Sequence, residues 1–259
     1  MRRRSLLGTA SLLLLASIPM GCETVPYTGR SQIQLVSPAE EAQMGIQSYQ
    51  QIVGKATLST DGPSNVLVQR VGTRIAAVTG LDNKWEFRVI QDDKQANAFA
   101  LPGGKVAVYT GILPITKDEA GLAAVLGHEI GHVVARHGGE RVSQQMGVQS
   151  VTQILAGMAS SNPTTVQMVS TALGAGAQYG VLLPWSRQQE SEADHIGLIL
   201  MAKAGYDPHA SLELWKRMAV AAQGQRPPEF LSTHPAEATR IQQIQAWLPE
   251  ALKYYKPAQ

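Results

Sequence analysis

The pattern that most constrains this chain is a pair of histidines four residues apart in the run His128-Glu129-Ile130-Gly131-His132. A capping-box pattern at 116–119 predicts that a helix begins before this run, and Gly138-Gly139 predicts where the helix ends. Residues four apart share one helical face, so both imidazoles can reach one metal ion while Glu129 leans beside it. The motif therefore predicts a zinc platform with a carboxylate close to the metal. A pair of buried core histidines without a third ligand is the alternative.

Candidates for a third ligand lie further along the chain. His137 is five residues beyond His132, which places it about 140° further round the helix and out of reach of the same metal. Its position predicts a cap at the negative end of the helix dipole. Glu190 and Asp194 share a face of a later helix, so one carboxylate could bind zinc while the other accepts the free N–H of a ligand histidine. Glu192 lies on another face and is predicted to be solvated. A plain acidic helix surface is the alternative.

The first 21 residues predict an export signal. Arg2–Arg4 precede a short apolar run at 5–18, whereas a membrane-spanning helix needs about 20 apolar residues. The run ends at Gly21-Cys22, which resembles the processing site of a bacterial lipoprotein. We therefore expect a signal peptide at 1–21, lipidation of Cys22, a polar tether at 22–36 and a single domain at 37–259. An ordinary signal peptide, with Cys22 as a buried or free thiol, is the alternative.

Charge and cysteine content exclude two classes of protein. The chain has 22 basic and 20 acidic residues, and three of the basic ones are the leader arginines. The remainder is close to neutral, so we expect no nucleic-acid partner. Cys22 is the single cysteine, which excludes a disulfide framework and a cysteine-based zinc site.

The remaining pattern predicts helices around a small sheet. Capping and periodicity favour helices over about 37–53 and 64–78, and β-rich runs predict strands at 85–90 and 105–109. Residues 142–186 contain no charged side chain, although polar residues interrupt the apolar ones repeatedly. We expect small-residue helices packed inside the domain there, and a surface that contacts a membrane is the alternative.

The histidine motif and the acidic motif together resemble those of a known superfamily. His128-Glu129-x-x-His132 followed by Glu190-x-x-Ala193-Asp194 resembles the HtpX and CAAX-prenyl-protease superfamily of zinc metallopeptidases. The leader, residues 97–104 and the run 232–235 resemble its soluble periplasmic lipoprotein branch, the BepA-like and LoiP-like proteins. The resemblance implies an α+β, helix-rich, gluzincin-like zinc metallopeptidase domain with a small sheet.

The resemblance also implies roles for individual residues. His128, His132 and Glu190 would hold one Zn²⁺, Glu129 would act as general base, and Asp194 would orient a ligand histidine. His234 would reach the metal, either as a fourth ligand that silences the resting enzyme or as a donor to the oxyanion. A helix cap or surface position is the alternative for His234. Substrate would lie extended along the strand near 98–100, for which a core hairpin is the alternative.

From these features we expect a zinc endopeptidase in the periplasm, anchored by its lipid to the cell envelope at the outer membrane. Its expected partners are misfolded or unassembled envelope proteins, the membrane itself and the outer-membrane assembly machinery. One alternative is a peptidase-like chaperone or assembly factor with latent activity. Another is a transmembrane HtpX-like protease, which the polar interruptions in 142–186 disfavour.

Overall fold

The computed structural model describes residues 21–159, 162–177, 183–223, 228–234 and 239–257, so all of the predicted leader except Gly21 lies outside the described residues. The strands are β1 (Gly21–Thr24), β2 (Ser31–Gln34), β3 (Glu86–Ile90), β4 (Ala98–Leu101) and β5 (Lys105–Tyr109). The helices are α1 (Pro38–Val53), α2 (Gly62–Ala76), α3 (Leu113–Thr116), α4 (Glu119–Val134), α5 (His137–Ala159), α6 (Pro163–Ala177), α7 (Leu183–Lys203), α8 (His209–Ala221), α9 (Phe230–Thr233) and α10 (Arg240–Ala251). This arrangement confirms a helix-rich α+β fold with little sheet.

Capping side chains account for the starts of the first helices. In α1 the Ser37 side chain accepts from the backbone N–H of Glu40, and the Glu40 carboxylate accepts from the Ser37 backbone N–H, which confirms the predicted capping box. The predicted start of α4 at Thr116 is wrong, because Thr116 ends α3. Asp118 caps α4 instead, by accepting from the backbone N–H of Gly121 at 2.8 Å.

The end of α4 also differs from the prediction. The helix ends at Val134, and Arg136 takes a positive φ of 56°, so the chain turns and His137 begins α5. The Arg136 guanidinium holds this turn through ion pairs with Glu23 and Glu41. The prediction that His137 caps the C-terminus of α4 is therefore wrong.

The central sheet places β4 at an edge. Its strand order is β3-β5-β4, with β3 parallel and β4 antiparallel to β5. Gly103 and Gly104, at φ values of 81° and 76°, connect β4 to β5 in a conformation that favours glycine. One long side of β4 is consequently left unpaired by the sheet.

Helices α4 and α7 cross at small residues. A Cβ on Gly127 would lie 2.8 Å from the Gly197 carbonyl oxygen, and a Cβ on Gly131 would lie 2.8 Å from that of Ala193. The two backbones are thus in direct contact, and carboxylates of α7 reach histidines of α4. Fully buried aliphatic side chains surround this crossing, among them Leu122, Leu126, Ile130, Ile196 and Leu200.

Much of the predicted tether at 22–36 is folded against the rest of the protein. Strands β1 and β2 pair antiparallel. Gln32 donates from Nε2 to the Ala135 carbonyl at 2.9 Å, and the Leu35 backbone N–H donates to Ser143 Oγ at 2.8 Å. These contacts fix the segment against the start of α5, so its polar residues serve as hydrogen-bonding partners rather than as a solvated linker.

The uncharged stretch is less buried than predicted. Helices α5 and α6 pack on each other, and large apolar side chains remain exposed on them, including Met146, Val151, Ile154, Met158 and Met168. The expectation that 142–186 packs inside the domain is therefore wrong for most of its described part. Within the described ranges, no helix combines the length and the apolar character needed to cross a membrane.

Candidate metal centre

Helices α4 and α7 and the loop after α9 bring four potential ligands together. Ligand atoms of His128, His132, Glu190 and His234 all lie within 4.8 Å of one another. The Nε2 atoms of His128 and His132 are 3.2 Å apart, and the Glu190 carboxylate lies 3.3 Å from the first and 3.4 Å from the second. The residues that the sequence predicts as metal ligands therefore converge, and all are buried.

His234 joins this cluster from the loop that follows α9. Its Nδ1 lies 2.9 Å from Glu190 Oε2 and 3.1 Å from His128 Nε2. Its ring stacks on Phe230 at a centroid distance of 4.5 Å, and the Phe230 backbone N–H donates to the Ala96 carbonyl just before β4. The alternative of a surface histidine is therefore wrong, while fourth ligand and oxyanion donor both remain compatible with this position.

The donor set fits a divalent cation. Two imidazole nitrogens and a carboxylate are ligands that Zn²⁺ takes in proteins, and Glu190 Oε1 is buried without a hydrogen bond to any described residue. Burial alone raises the pKa of Glu190, but the neighbouring histidines outweigh it and hold that pKa far below its usual range. Burial lowers the pKa of His132 well below 6.5. An ionised carboxylate and a neutral imidazole are the forms in which these two groups bind a metal ion.

His128 is held from behind by a carboxylate and an arginine. Its Nδ1 lies 2.8 Å from Asp194 Oδ1. Burial lowers the pKa of His128, but the charge and hydrogen bond of Asp194 outweigh this and raise it to about 9. Arg240 lies 2.6 Å from Asp194 Oδ2 and stacks over the Trp215 ring at 3.4 Å. Asp194 therefore occupies the predicted place beside a ligand histidine.

Sequence reasoning missed Arg240, although a signal was present. The buried positions of α10 are Arg240, Ile244, Leu248 and Ala251, at helical spacing. An arginine on an otherwise apolar helical stripe needs a buried carboxylate partner, because an unpaired buried charge is costly. Which carboxylate it meets depends on how α10 packs against α7, and the sequence does not give that.

A second buried contact path lies behind His132. The Nδ1 atoms of His132 and His137 are 2.7 Å apart, and His137 Nε2 lies 3.0 Å from Glu192 Oε2. Burial lowers the pKa of His137. Burial raises the pKa of Glu192, but hydrogen bonds from His137, Arg30 and Thr28 outweigh it and lower that pKa to about 2. The prediction that Glu192 is solvated is wrong, because the β1–β2 segment covers its face of α7.

Glu129 lies between the cluster and the edge strand. Its Oε2 accepts from the Ala100 backbone N–H at 3.1 Å, and its Oε1 lies 3.2 Å from His234 Nε2. Burial raises the pKa of Glu129 and outweighs the opposing effect of His234 and His128. A carboxylate with a raised pKa can take up a proton and return it near neutral pH.

A cleft of about 240 Å³ opens over these groups, lined by β4 together with Glu129, His132, Arg141 and His234. The backbone N–H groups of Ala98 and Ala100 donate to the side chains of Asn97 and Glu129 rather than to β5. The unpaired side of β4 therefore faces the cleft. Cys22, the remaining predicted site residue, takes no part in the cluster and is exposed on β1.

Two histidines and a glutamate on one helix, met by a carboxylate from a second helix beneath an edge strand, define a zincin-like metallopeptidase domain. The profile described as peptidase family M48 matches residues 64–248, and this chain belongs to that family. It is an M48 metalloendopeptidase, a class that uses a metal cofactor.

Similar proteins come from mitochondria and from bacteria. The mitochondrial metalloendopeptidase OMA1 of Schizosaccharomyces pombe is 43% identical over 235 residues, covering 88% of this chain and 67% of the relative. OMA1 of Saccharomyces cerevisiae is 33% identical over 97% of this chain and 78% of its own length. The β-barrel assembly-enhancing protease of Escherichia coli is 31% identical over 85% of this chain and 46% of its own length. The predicted zinc-metallopeptidase superfamily is confirmed as family M48. The relatives include mitochondrial as well as bacterial proteins, so the comparisons do not assign the chain to the periplasmic lipoprotein branch.

Proposed function

We propose that this chain is a zinc-dependent endopeptidase in which His128, His132 and Glu190 hold one Zn²⁺. The observation that carries this proposal is the convergence of both Nε2 atoms and the Glu190 carboxylate within 3.4 Å of one another. When bound, the ion would polarise a peptide carbonyl and lower the pKa of a water molecule.

The protein's own groups supply the proton transfers. Because one oxygen of Glu129 is held by the Ala100 N–H, the other is directed at the cluster, where it can take a proton from water. The protonated carboxyl then delivers that proton to the amine of the leaving peptide. Asp194 accepts from His128 Nδ1 and so keeps its Nε2 aimed at the ligand position.

An extended peptide segment is the substrate that the cleft favours. The N–H groups of Ala98 and Ala100 on the unpaired side of β4 are engaged by Asn97 and Glu129, but the carbonyls of the same residues point to that side and can accept from an added extended strand. Folded proteins rarely expose such a strand, whereas unfolded segments do. We therefore infer that misfolded or unassembled proteins are cleaved.

His234 has two roles that the geometry supports. As a fourth ligand it would silence the resting site, and as a hydrogen-bond donor it would stabilise the oxyanion. His234→Ala is expected to keep one zinc per chain, because three ligands remain. Cleavage rate then separates the roles: a rise supports silencing, and a fall in kcat supports oxyanion stabilisation. Loss of zinc in this variant would contradict the three-ligand assignment.

We place this activity at a bacterial envelope, held there by a lipid on Cys22. Support comes from the leader with its Gly21-Cys22 junction and from the E. coli relative, whose name describes a protease that enhances β-barrel assembly. Because β1 is docked against the domain, a lipid on Cys22 would keep the cleft close to the membrane. Association with outer-membrane assembly machinery belongs to the same proposal.

Incorporation of a labelled fatty acid tests the anchor. The wild type should carry the label and sediment with membranes, and Cys22→Ser should lose both properties. Equal labelling of the two proteins would contradict lipidation at Cys22.

Cleavage of an unfolded substrate tests the enzymatic proposal against its rival. Zinc-loaded protein should cleave casein, and Glu129→Gln should bind zinc equally and lose nearly all turnover, since Gln cannot accept the proton. Glu213→Gln, an exposed change on α8, is the matched control. If wild type and Glu129→Gln do not differ in cleavage but both suppress aggregation of an unfolded envelope protein, the chaperone alternative holds instead.

A further inference from the structure

The contacts behind His132 lead away from the metal cluster to the N-terminal strands. His132 contacts His137, His137 contacts Glu192, and Glu192 accepts from Arg30 Nε at 2.8 Å and from the Thr28 hydroxyl. His137 is 1% exposed and Glu192 6%. The motifs from which the metal ligands are predicted assign no role to the residues that make these buried polar contacts with His132.

Metal binding would fix the direction of each hydrogen bond. The Nε2 of His132 faces His128 and Glu190, so its lone pair is the one directed at the ligand position. A neutral imidazole then carries its proton on Nδ1 and donates to Nδ1 of His137. His137 must accept there, so its own proton is on Nε2 and is donated to Glu192.

Glu192 is itself held by charge. Arg30 bridges Glu192 and Glu140, donating to Glu140 Oε1 at 2.6 Å and Oε2 at 2.8 Å. Thr28 and Arg30 belong to the connection between β1 and β2. The position of the Glu192 carboxylate therefore depends on docking of this N-terminal segment.

The same logic holds for the other ligand histidine over a shorter path. His128 contacts Asp194 directly, and Arg240 holds Asp194. His132 instead reaches an arginine-held carboxylate through one intervening imidazole. A partner that orients a ligand imidazole commonly changes metal affinity about 10–100-fold when it is removed.

We propose that His137 is a positioning residue for the ligand His132, and that Arg30 fixes it through Glu192, so the N-terminal β1–β2 segment tunes the metal site. This inference rests on the proposed zinc site. It concerns how tightly the ion is held and for how long, and it adds no group to the proton transfers.

Zinc release into excess chelator tests the proposal without measuring cleavage. His137→Leu should release zinc about 10–100-fold faster than wild type, because the Nδ1–H of His132 loses its acceptor. His137→Gln should be close to wild type, since its amide can accept from His132 and donate to Glu192. His195→Leu is the matched control, because His195 stacks on Trp247 of α10 outside the cluster. Thermal unfolding of the metal-free forms shows whether His137→Leu still folds.

Arg30→Gln extends the test to the N-terminal segment and serves if His137→Leu does not fold. It should speed zinc release in the same direction. Adding Arg30→Gln to His137→Leu should change the release rate little compared with His137→Leu alone, because the path is already broken there. Wild-type release rates in both His137→Leu and Arg30→Gln would overturn this inference while leaving the zinc site intact. A wild type that binds no zinc would overturn the proposed function itself.

Discussion

Each histidine that α4 contributes to the cluster is backed, directly or through His137, by a carboxylate of α7 that an arginine holds. Asp194 pairs with Arg240 and Glu192 pairs with Arg30. The Asp194–Arg240 pair is buried, so each of its charges relies on its partner rather than on water, whereas Arg30 is partly exposed and only its partner Glu192 is buried. At the scale of single residues, the proposed metal site therefore depends on groups outside its set of ligands.

Removal of Arg240 should be strongly destabilising. Arg240→Ala leaves the buried Asp194 carboxylate without its main cation, and breaking a buried pair in this way typically costs about 3–5 kcal/mol. Urea unfolding of the metal-free protein measures the change. Arg88→Ala, which removes an exposed pair with Glu86, should cost less than about 1 kcal/mol. A loss of that small size in Arg240→Ala would contradict the importance of the pair.

The places of the candidate site residues could be predicted only where spacing along one helix carries them. His128, Glu129 and His132 follow from a local motif, and Glu190 with Asp194 from a four-residue separation on α7. His137 and Glu192 were misassigned, because their burial depends on a turn at Arg136 and on a docked N-terminal segment. Neither feature is visible in helical periodicity.

At the scale of elements, the close crossing of α4 and α7 sets the distance between imidazoles and carboxylate. Gly127 and Gly131 on α4 face Ala193 and Gly197 on α7, in each case four residues apart. The shared-metal prediction already implies that the helices of His128 and Glu190 meet. The four-residue spacing of the small residues is readable in the sequence, but it does not reveal that these residues form the contact.

Adding one methyl group at this crossing tests its role. A Cβ at position 197 would lie 2.7 Å from the Gly127 carbonyl carbon, so Gly197→Ala must push the helices apart, at about 1–3 kcal/mol. We expect a lower melting temperature and weaker zinc binding. Gly147→Ala on α5, where a Cβ meets nothing within 4 Å, should instead be neutral or stabilising. Equal behaviour of the two variants would contradict the close crossing.

Exposure of the uncharged helices α5 and α6 can be measured by methionine oxidation. Met158 and Met168 are 79% and 63% exposed, whereas Met201 and Met218 are 1% and 0% exposed. Hydrogen peroxide followed by peptide mass spectrometry should show much faster sulfoxide formation at the first pair. Protection of Met158 and Met168 equal to that of Met218 would mean that this face is covered in solution.

At the scale of the whole molecule, one ion-pair cluster links separate parts of the chain. Glu119 at the start of α4 accepts from Arg70 of α2 at 2.7 Å and from the Tyr206 hydroxyl at 2.9 Å. The hydrogen bond from Arg70 outweighs the effect of burial and lowers the pKa of Glu119 below 4.5. Protonation of this carboxylate therefore weakens the contact between α2, α4 and the segment before α8.

Acid should consequently remove part of the folding stability through Glu119. Because its folded pKa lies below the unfolded value, its contribution is present above about pH 4.5 and is lost as pH falls through the folded pKa. Glu119→Gln should lower the free energy of unfolding at pH 7 and change it less at pH 3, as measured by denaturant titration. Arg70→Gln should show the same pH dependence. A loss that is equal at both pH values would contradict this linkage.

The overall class of the fold followed from the sequence, while several boundaries and surfaces did not. A cap such as Ser37 is a local feature, so the helix that it begins was predicted. The docking of the N-terminal strands and the packing of α5 on α6, which decides which of their faces stay exposed, both depend on contacts between segments distant in the sequence. A stretch without charged residues, such as 142–186, is buried on average. Helices α5 and α6 instead pack on each other and leave apolar side chains exposed on their other faces.

Metal content of Glu190 variants tests the central claim most directly. Wild type should hold about one zinc per chain when measured by elemental analysis after dialysis, as expected for a His₂Glu site. Glu190→Gln keeps the shape of the side chain but removes a charged ligand, so it should lose most of that zinc while remaining folded by circular dichroism. Glu213→Gln should retain the wild-type content. Stoichiometric zinc in folded Glu190→Gln would contradict the claim that carboxylate and histidines from two helices hold one ion.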